Sequence, residues 1–307
     1  MSIALFTHPA ALGHDTGYDH PECAERLRHV LRVLEAPEFT PLLRELAPKA
    51  TLEQLKAAHD PDYVDAILAL PRDQVTTIDG DTVFGPGTLD AALHAAGGAA
   101  AAVDAVMEGW AQAAFVAMRP PGHHAETDRA MGFCFFNNAA VAARQAQRRW
   151  GLKRVAIVDF DVHHGNGTQN IFAADAGVMY ASSHQFPCYP GSGAQTEAGV
   201  GNIVNVPLPP GTGSEAFREA WAMALLPRLA AFEPELLIIS AGFDAHAADP
   251  MAQMRLREPD FVWATRELLA VADQSCPGRV VSLLEGGYDL NALAQSCAAH
   301  VRTLMRL

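Results

Sequence analysis

The sequence is poor in the features that mark secreted or membrane-bound chains. Its five cysteines are odd in number and include no C-x-x-C pair, which argues against a disulfide framework and favours reduced thiols in the cytoplasm. No apolar run reaches membrane-spanning length, and the N-terminal stretch has no basic leader or cleavage pattern. We therefore expect no membrane partner.

Clusters of basic residues are also missing. The chain has 22 Lys and Arg against 35 Asp and Glu, and its formal charge of −13 is spread along the sequence. Nucleic acid is not an expected partner, because phosphate binding needs clustered positive charge. An acidic surface remains compatible with cationic substrates. Half of the 307 residues are hydrophobic, so we expect a globular chain with a sizeable core.

Short apolar runs alternate along the chain with longer segments of helical period. Strands are predicted at residues 3–7, 113–118, 155–161, 178–183, 203–208, 236–244 and 280–286. Helices are predicted at residues 21–36, 51–58, 61–70, 88–108, 138–149, 214–232, 259–275 and 290–305. This alternation predicts an α/β fold, a mostly parallel central sheet with helices on both faces. Since the sequence shows no repeat or linker, residues 1–307 are expected to form a single domain.

An Ala-rich stretch within residues 88–108, "AALHAAGGAAAAVDAVME", looks low in complexity. Its small side chains suit a helix that packs closely on a sheet. The alternative, a flexible linker, is the weaker interpretation.

The segment "VDFDVHHGNGTQ" (158–169) follows an apolar strand and carries Asp159, Asp161 and His163. Alternating strand side chains would point the three the same way if the extended conformation continued. A carboxylate and an imidazole two residues apart can bind one metal ion, with donors that suit Zn²⁺. Taken alone, the pattern fits a solvated turn with a capping Asp at least as well.

A second strand, in "SAGFDAHAADP" (240–250), ends near Asp244. Asp161, His163 and Asp244 would give three protein ligands and leave a position open for water, as catalytic zinc sites require. Asp244 could instead cap the following helix. Ligands bind at the carboxyl ends of strands in open parallel sheets, which favours the metal site.

Adjacent histidines, His123 and His124, stand in the loop "RPPGHHAE". Hydrolysis of an amide by a metal-activated water needs a base for the water and an acid for the amine, and imidazole suits both near neutral pH. Asp159 and Asn166 are available to fix the two ring tautomers. The alternative is a histidine pair that only hydrogen-bonds backbone.

In "LLEGGYDL" (283–290), two glycines after an apolar strand form a loop that can carry Tyr288 toward the same site. A phenol aimed at a developing oxyanion would help to polarise the substrate carbonyl. On its own the segment fits an ordinary strand-to-helix turn with a packed tyrosine. It matches neither G-x-G-x-x-G nor a P-loop, so phosphate binding is not expected.

Taken together, the motifs resemble those of the arginase-deacetylase superfamily. More specifically, they resemble those of the class II-like branch of zinc-dependent histone deacetylases, with its bacterial histone deacetylase-like amidohydrolases. The similarity covers nearly the whole chain, through "YDHPECAERL", "DTVFGPGT", "RPPGHHAE", "GFCFFNN", "VDFDVHHGNGTQ", "AGFDAHAADP" and "LEGGYDL". It implies the three-layer arginase-deacetylase fold and a deacetylase catalytic domain over residues 1–307.

The resemblance also implies the members of the site. One Zn²⁺ per chain would be bound by Asp161, His163 and Asp244. The implied catalytic residues are His123, His124, Tyr288, Asp159 and Asn166. In that branch Asp159 supports His123, Asn166 supports His124, and His124 is the principal base and acid. The implied substrate-binding residues, among them two tunnel aromatics, are Gly132, Phe133, Tyr189 and Met251. A structural K⁺ is implied near Asp159, Asp161, His163, Ser182 and Ser183.

The implied function is removal of acetyl or other acyl groups from acylated lysine side chains or related amines. Met251 stands where polyamine-selective relatives carry a gatekeeping Glu, which argues against a dedicated acetylpolyamine deacetylase. A non-catalytic protein that binds acylated ligands is a further alternative. Because such a protein has no need of His123, His124 and Tyr288 together, the enzyme is favoured. The sequence does not predict an oligomeric state.

Overall fold

The computed structural model describes residues 2–307, and a parallel sheet runs through their centre. The strands are β1 (Ile3–Thr7), β2 (Leu43–Leu46), β3 (Thr76–Asp79), β4 (Thr82–Phe84), β5 (Ala113–Val116), β6 (Val155–Asp159), β7 (Val178–Gln185), β8 (Ile203–Leu208), β9 (Leu236–Ala241) and β10 (Val280–Leu284). Eight of these described strands form the sheet, in the order β2-β1-β5-β10-β9-β6-β7-β8. Every neighbouring pair in it is parallel.

Helices cover the sheet. They are α1 (Ala24–Val33), α2 (Leu52–Ala58), α3 (Pro61–Leu68), α4 (Thr88–Glu108), α5 (Asn138–Trp150), α6 (Asn166–Phe172), α7 (Ser214–Ala220), α8 (Leu226–Phe232), α9 (Glu258–Ser275) and α10 (Leu290–Leu304). One group is formed by α2, α4 and α5, and another by α1, α9 and α10. The three-layer α/β fold with a parallel central sheet is therefore confirmed. Within the described residues, no helix combines the length and apolar character needed to cross a bilayer.

The predicted strands are all present, but four end earlier than predicted. β5 ends at Val116 rather than residue 118, β6 at Asp159 rather than 161, β9 at Ala241 rather than 244, and β10 at Leu284 rather than 286. After β6 and β10 the backbone leaves the sheet and donates to carboxylates, from Asp161 N to Asp159 Oδ1 and from Gly286 N to Asp161 Oδ2. After β9, Phe243 N donates to the carbonyl oxygen of Gly286. The prediction that strand alternation orients Asp161 and His163 was therefore wrong.

Short polar elements were not predicted. The edge strand β2 is exposed along its length, and β3 and β4 form a hairpin closed by Gly80 and Asp81. Helix α6 is seven residues long and contains Gly167. None of these segments has enough apolar periodicity to stand out in the sequence.

Helix α4 packs as closely as its small residues suggested. A Cβ at Gly97 would lie 2.2 Å from the carbonyl oxygen of Pro48, and one at Gly98 would lie 2.8 Å from Ala47 Cβ. Most of the helix is buried. The Ala-rich segment is thus a packed helix and not a linker.

The predicted helix at 214–232 is present with one irregularity. A π-helical turn, Trp221–Leu225, joins α7 to α8. Pro227 lies in the first turn of α8. Because proline has no N–H to donate to the preceding turn, the regular hydrogen-bond ladder is interrupted there.

Candidate metal centre and active site

Two carboxylates and one imidazole meet beyond the carboxyl ends of β6 and β9. His163 Nδ1 lies 3.1 Å from Asp161 Oδ1 and 3.1 Å from Asp244 Oδ2. Backbone turns aim these groups: Asp161 N donates to Asp159 Oδ1, and His163 N donates to Asp161 Oδ1. Val162 N donates to Asp244 Oδ1, which ties the two loops together. All three side chains are buried.

The donor atoms fit a small divalent cation. Zinc bonds of about 2.0 to 2.1 Å in a tetrahedron place neighbouring donors about 3.3 Å apart, close to the separations from His163. Burial and the charge of Asp161 raise the pKa of the Asp244 carboxyl to about 7. A bound cation would offset the repulsion between the two carboxylates, so the chemistry of the three donors is consistent with Zn²⁺.

Each of the adjacent histidines has its own partner. His123 Nδ1 lies 2.9 Å from Asp159 Oδ2, and His124 Nδ1 lies 2.8 Å from Asn166 Oδ1. The two rings are 4.0 Å apart between centroids, and His123 Nε2 lies 3.8 Å from Asp161 Oδ1. The structure thus brings together the pairs predicted from the sequence.

The two histidines are driven toward opposite protonation states. Burial alone would lower the pKa of His123, but the charges of Asp159 and Asp161 raise it to about 10. Burial lowers the pKa of His124 well below its usual range, and the charges of His123 and His163 lower it further. A neutral His124 beside a cationic His123 can accept a proton at neutral pH.

A cavity of about 250 Å³ opens onto this cluster. It is lined by Asp81, His124, Gly132, Phe133, His163, Cys188, Tyr189, Met251 and Tyr288. Tyr189 is 39% exposed, whereas His124 is 4% and His163 6% exposed. This gradient places Tyr189 toward the solvent and the histidines at the inner end. All four residues predicted to bind substrate line the cavity.

The backbone at one wall of this cavity is constrained. Gly132 and Phe133 both have positive φ angles, 55° and 70°. A Cβ at Gly132 would lie 2.4 Å from His124 Cδ2, so only glycine permits this contact. Phe133 N donates to Thr82 Oγ1 in the hairpin, and the His20 ring packs edge-on against Phe133 at 4.9 Å. These contacts hold Phe133 in a conformation that non-glycine residues seldom adopt.

Tyr288 lines the cavity across from Phe133, with ring centroids 6.0 Å apart. Burial raises the pKa of its phenol well above the ordinary value, so the hydroxyl keeps its proton and can donate a hydrogen bond. The guanidinium of the buried Arg26 lies 4.8 Å from the Tyr288 ring centroid. Arg26 Nε also donates to the carbonyl oxygen of Gly287, at 2.6 Å. Arg26 therefore fixes the loop that carries Tyr288.

The two serines predicted for a potassium site lie on β7. Ser182 pairs in register with Asp159 of β6, and its hydroxyl bonds to His184 Nδ1 at 2.9 Å. Ser183 is buried beside it, and among the described residues its hydroxyl has no hydrogen-bond partner.

Sequence reasoning missed three buried residues that contact the site: Arg26, Tyr180 and Glu285. Tyr180 OH donates to Asp159 Oδ2 at 3.0 Å and accepts from Gly165 N. Glu285 accepts from the backbone of the histidine loop. The signals in the sequence were the place of Arg26 in the motif "YDHPECAERL", a hydroxyl in the apolar run "VMYASS" and a carboxylate near the end of "VVSLLEG". Each is weak, because none indicates which residue the side chain contacts.

Comparison with known families decides the assignment. The family model of the histone deacetylase domain matches residues 20–304. The chain belongs to the histone deacetylase family. Membership in this family, with its deacetylase and amidohydrolase relatives, makes the chain a hydrolase of the deacetylase type and confirms the resemblance seen in the sequence.

The similarity to individual members of the family covers most of the chain. The chain is 41% identical over 285 residues to a histone deacetylase-like amidohydrolase of Pseudomonas aeruginosa, covering 91% of this chain and 74% of that protein. It is 37% identical to the human polyamine deacetylase HDAC10, covering 99% of this chain and 48% of that protein. The crystal structure of the HDA15 HD domain matches with a TM-score of 0.94 at 36% identity, covering 99% of this chain and 88% of that one.

Proposed function

We propose that this deacetylase is a zinc-dependent amidohydrolase that removes acyl groups from acylated lysine side chains or related amines. The observation that carries the proposal is the cavity, in which His124, His163 and Tyr288 converge at the inner end of a channel bordered by Phe133 and Tyr189. Residues 1–307 act as a single catalytic domain. The five unpaired cysteines favour a reducing compartment, the cytoplasm.

Asp161, His163 and Asp244 would hold one Zn²⁺, and their separations support this assignment. When bound there, zinc would supply Lewis-acid polarisation of the amide carbonyl and would lower the pKa of a water toward ~7. A structural K⁺ near Asp159, Asp161, His163, Ser182 and Ser183 belongs to the same proposal. Its support is the family and the register of Ser182 beside Asp159.

His124 is the base that takes a proton from the attacking water, because it lines the cavity and is neutral. The same ring then returns the proton to the departing amine. Asn166 holds His124 through Nδ1, which leaves Nε2 as the reactive nitrogen. His123, with Asp159 behind it, remains cationic and adds positive charge beside the developing oxyanion.

Tyr288 donates its hydroxyl to the carbonyl oxygen of the substrate. This hydrogen bond strengthens as negative charge develops on the oxygen, which lowers the barrier selectively in the transition state. Its phenol keeps its proton throughout, in line with its raised pKa.

Phe133 and Tyr189 border a channel that admits an extended aliphatic stem, and Gly132 leaves room beside His124. Met251 lies on the wall of the channel and offers no charge to a second amine of the substrate. This favours acyl-lysine over acetylpolyamine substrates.

The test is hydrolysis of a substrate panel by purified protein. The panel contains an acetyl-lysine peptide, a trifluoroacetyl-lysine peptide, longer acyl-lysine peptides and an acetylated polyamine. We expect turnover of acyl-lysine, with the polyamine a poor substrate. A preference for the polyamine would shift the substrate class, and binding of every member without turnover would favour a non-catalytic acyl-binding protein.

A further inference from the structure

Glu285 is a fully buried carboxylate for which the proposed chemistry has no use. It follows the last residue of β10 and precedes the Gly286-Gly287 turn that leads to Tyr288. No chemical step described above requires an acid or a base at this position. Both oxygens of its carboxyl group nevertheless accept hydrogen bonds.

One carboxylate oxygen of Glu285 binds the histidine loop. Oε2 accepts from the backbone N–H of Gly122 at 2.7 Å and from that of His123 at 3.2 Å. The loop is not helical, and no strand pairing is available to these N–H groups inside the protein. Without an acceptor at this position, both would be buried and unpaired, which a folded chain avoids.

The other oxygen binds the strand that leads to Asp244. Ser240 of β9 donates its hydroxyl to Oε1 at 3.1 Å, and Ser240 itself pairs in register with Asp159 of β6. The backbone of Glu285 is fixed as well, since its N–H donates to the carbonyl oxygen of Ala241 and its own carbonyl accepts from Arg26.

The geometry points to Glu285 as a positioning residue that fixes the backbone of Gly122 and His123 against β9 and β10, and so sets the place of the two histidines over the metal centre. It contacts neither the substrate channel nor a metal ligand through its carboxyl hydrogen bonds. The inference rests on the catalytic roles proposed for His123 and His124. This role of Glu285 requires a hydrogen-bond acceptor at the position of Oε2.

A matched pair of variants separates the acceptor from the volume of the side chain. E285Q keeps the length and one acceptor oxygen, and its amide group can donate to Ser240 Oγ. E285M keeps the length but offers no acceptor to the two N–H groups. The contrast between them therefore reports hydrogen bonding to the loop and not cavity formation.

We expect E285M to lower kcat by about 10 to 100-fold with KM within about threefold, because small misplacement of catalytic groups costs turnover and not substrate binding. E285Q should restore kcat to within about threefold of the wild type. Zinc bound per chain should stay the same in both, since Asp161, His163 and Asp244 keep their contacts.

Amide hydrogen exchange gives a readout that does not depend on turnover. Exchange in the segment 119–126 should rise about tenfold or more in E285M and stay at the wild-type rate in E285Q. If the wild type has no turnover, the proposed function fails and the exchange result alone decides the role of Glu285.

Three results would overturn the inference. The first is a folded E285M with wild-type kcat and wild-type exchange in the loop, and the second is an E285Q as impaired as E285M. Should E285M not fold, S240A carries the test because it removes one of the three hydrogen bonds to the carboxylate. S240A should then raise exchange in segment 119–126 and lower kcat at constant KM, and the absence of both effects is the third overturning result.

Discussion

At the residue scale, the adjacent histidines differ in what lies against each ring. His123 has a carboxylate behind it, whereas His124 has the neutral amide of Asn166. A carboxylate stabilises the imidazolium, and an amide oxygen does so much less. The pKa values of two identical side chains next to each other in sequence are therefore shifted in opposite directions, with one partner at the end of β6 and the other at the start of α6.

The pH dependence should reveal this asymmetry. A base must be deprotonated to act, so activity is lost as pH falls through the pKa of His124. Asn166→Asp places a negative charge 2.8 Å from Nδ1 and should raise that pKa by about 1 to 3 units. We therefore expect the acid limb of the kcat/KM profile to move to higher pH.

Asn170→Asp is the matched control for this profile, because it makes the same change at a residue that bonds to Thr127 away from the catalytic rings. An acid limb that shifts equally in both variants would mean that general surface charge, and not His124, sets the profile.

Tyr288→Phe tests the hydroxyl proposed to bind the substrate carbonyl. Loss of one oxyanion donor should lower kcat by about 10² to 10³-fold, with a much smaller change in KM. Steady-state kinetics on an acetyl-lysine peptide measure both constants.

Tyr189→Phe makes the same chemical change in the same cavity, nearer the solvent. It should leave kcat within about threefold of the wild type, because the aromatic wall is kept and no oxyanion donor is lost. Near wild-type turnover in Tyr288→Phe would remove Tyr288 from the mechanism.

At the scale of secondary structure elements, the sequence predicted the strands of the central sheet but not where they stop. Apolar runs such as 155–161 continue to Asp161, whereas β6 ends at Asp159. The end depends on contacts between segments distant in sequence, such as Val162 N with Asp244 Oδ1. Periodicity cannot predict hydrogen bonds of this kind, and for the same reason it missed Glu285, whose partners are more than 40 residues away.

Helix α4 offers a test of close packing. Gly97→Ala would place a Cβ 2.2 Å from the backbone oxygen of Pro48, so we expect a loss of about 1 to 3 kcal/mol or more in the free energy of unfolding. Gly98→Ala is the matched control in the same helix, where the nearest atom is the Ala47 Cβ at 2.8 Å.

Denaturant unfolding of both variants measures the difference. The loss should be larger for Gly97→Ala, since its Cβ would overlap three backbone atoms within 2.5 Å, whereas the nearest atom to a Cβ at Gly98 is 2.8 Å away. The opposite order, or a stabilised Gly97→Ala, would contradict the packing of α4 described above.

At the scale of the whole molecule, three layers bring together residues from segments more than 100 positions apart in sequence. Asp161 and Gly286 are joined by a hydrogen bond from the Gly286 N–H to Asp161 Oδ2, at 2.8 Å. The family motifs predicted which residues would lie together here, and the structure brings Asp161, His163 and Asp244 to one place. The supporting contacts of Arg26 and Tyr180 needed the three-dimensional structure.

A ligand that binds only the folded state should stabilise the entire molecule. Zinc returned to chelated protein at about a hundredfold excess over Kd should add about 2.7 kcal/mol to the free energy of unfolding and raise Tm. Differential scanning calorimetry measures the shift. Asp244→Asn should show little of it, and an equal shift in that variant would place the zinc elsewhere.

Zinc-dependent deacetylation is tested most directly by quantifying bound metal and deacetylation rate in the same protein preparation. Chelated protein should be titrated with Zn²⁺ while hydrolysis of an acetyl-lysine peptide is followed. Turnover should rise in proportion to bound zinc and level off at about one ion per chain, the number expected for a single three-ligand site. Full turnover in metal-free protein, or no turnover at one zinc per chain on any acyl amide of the panel, would contradict a zinc-dependent deacetylase.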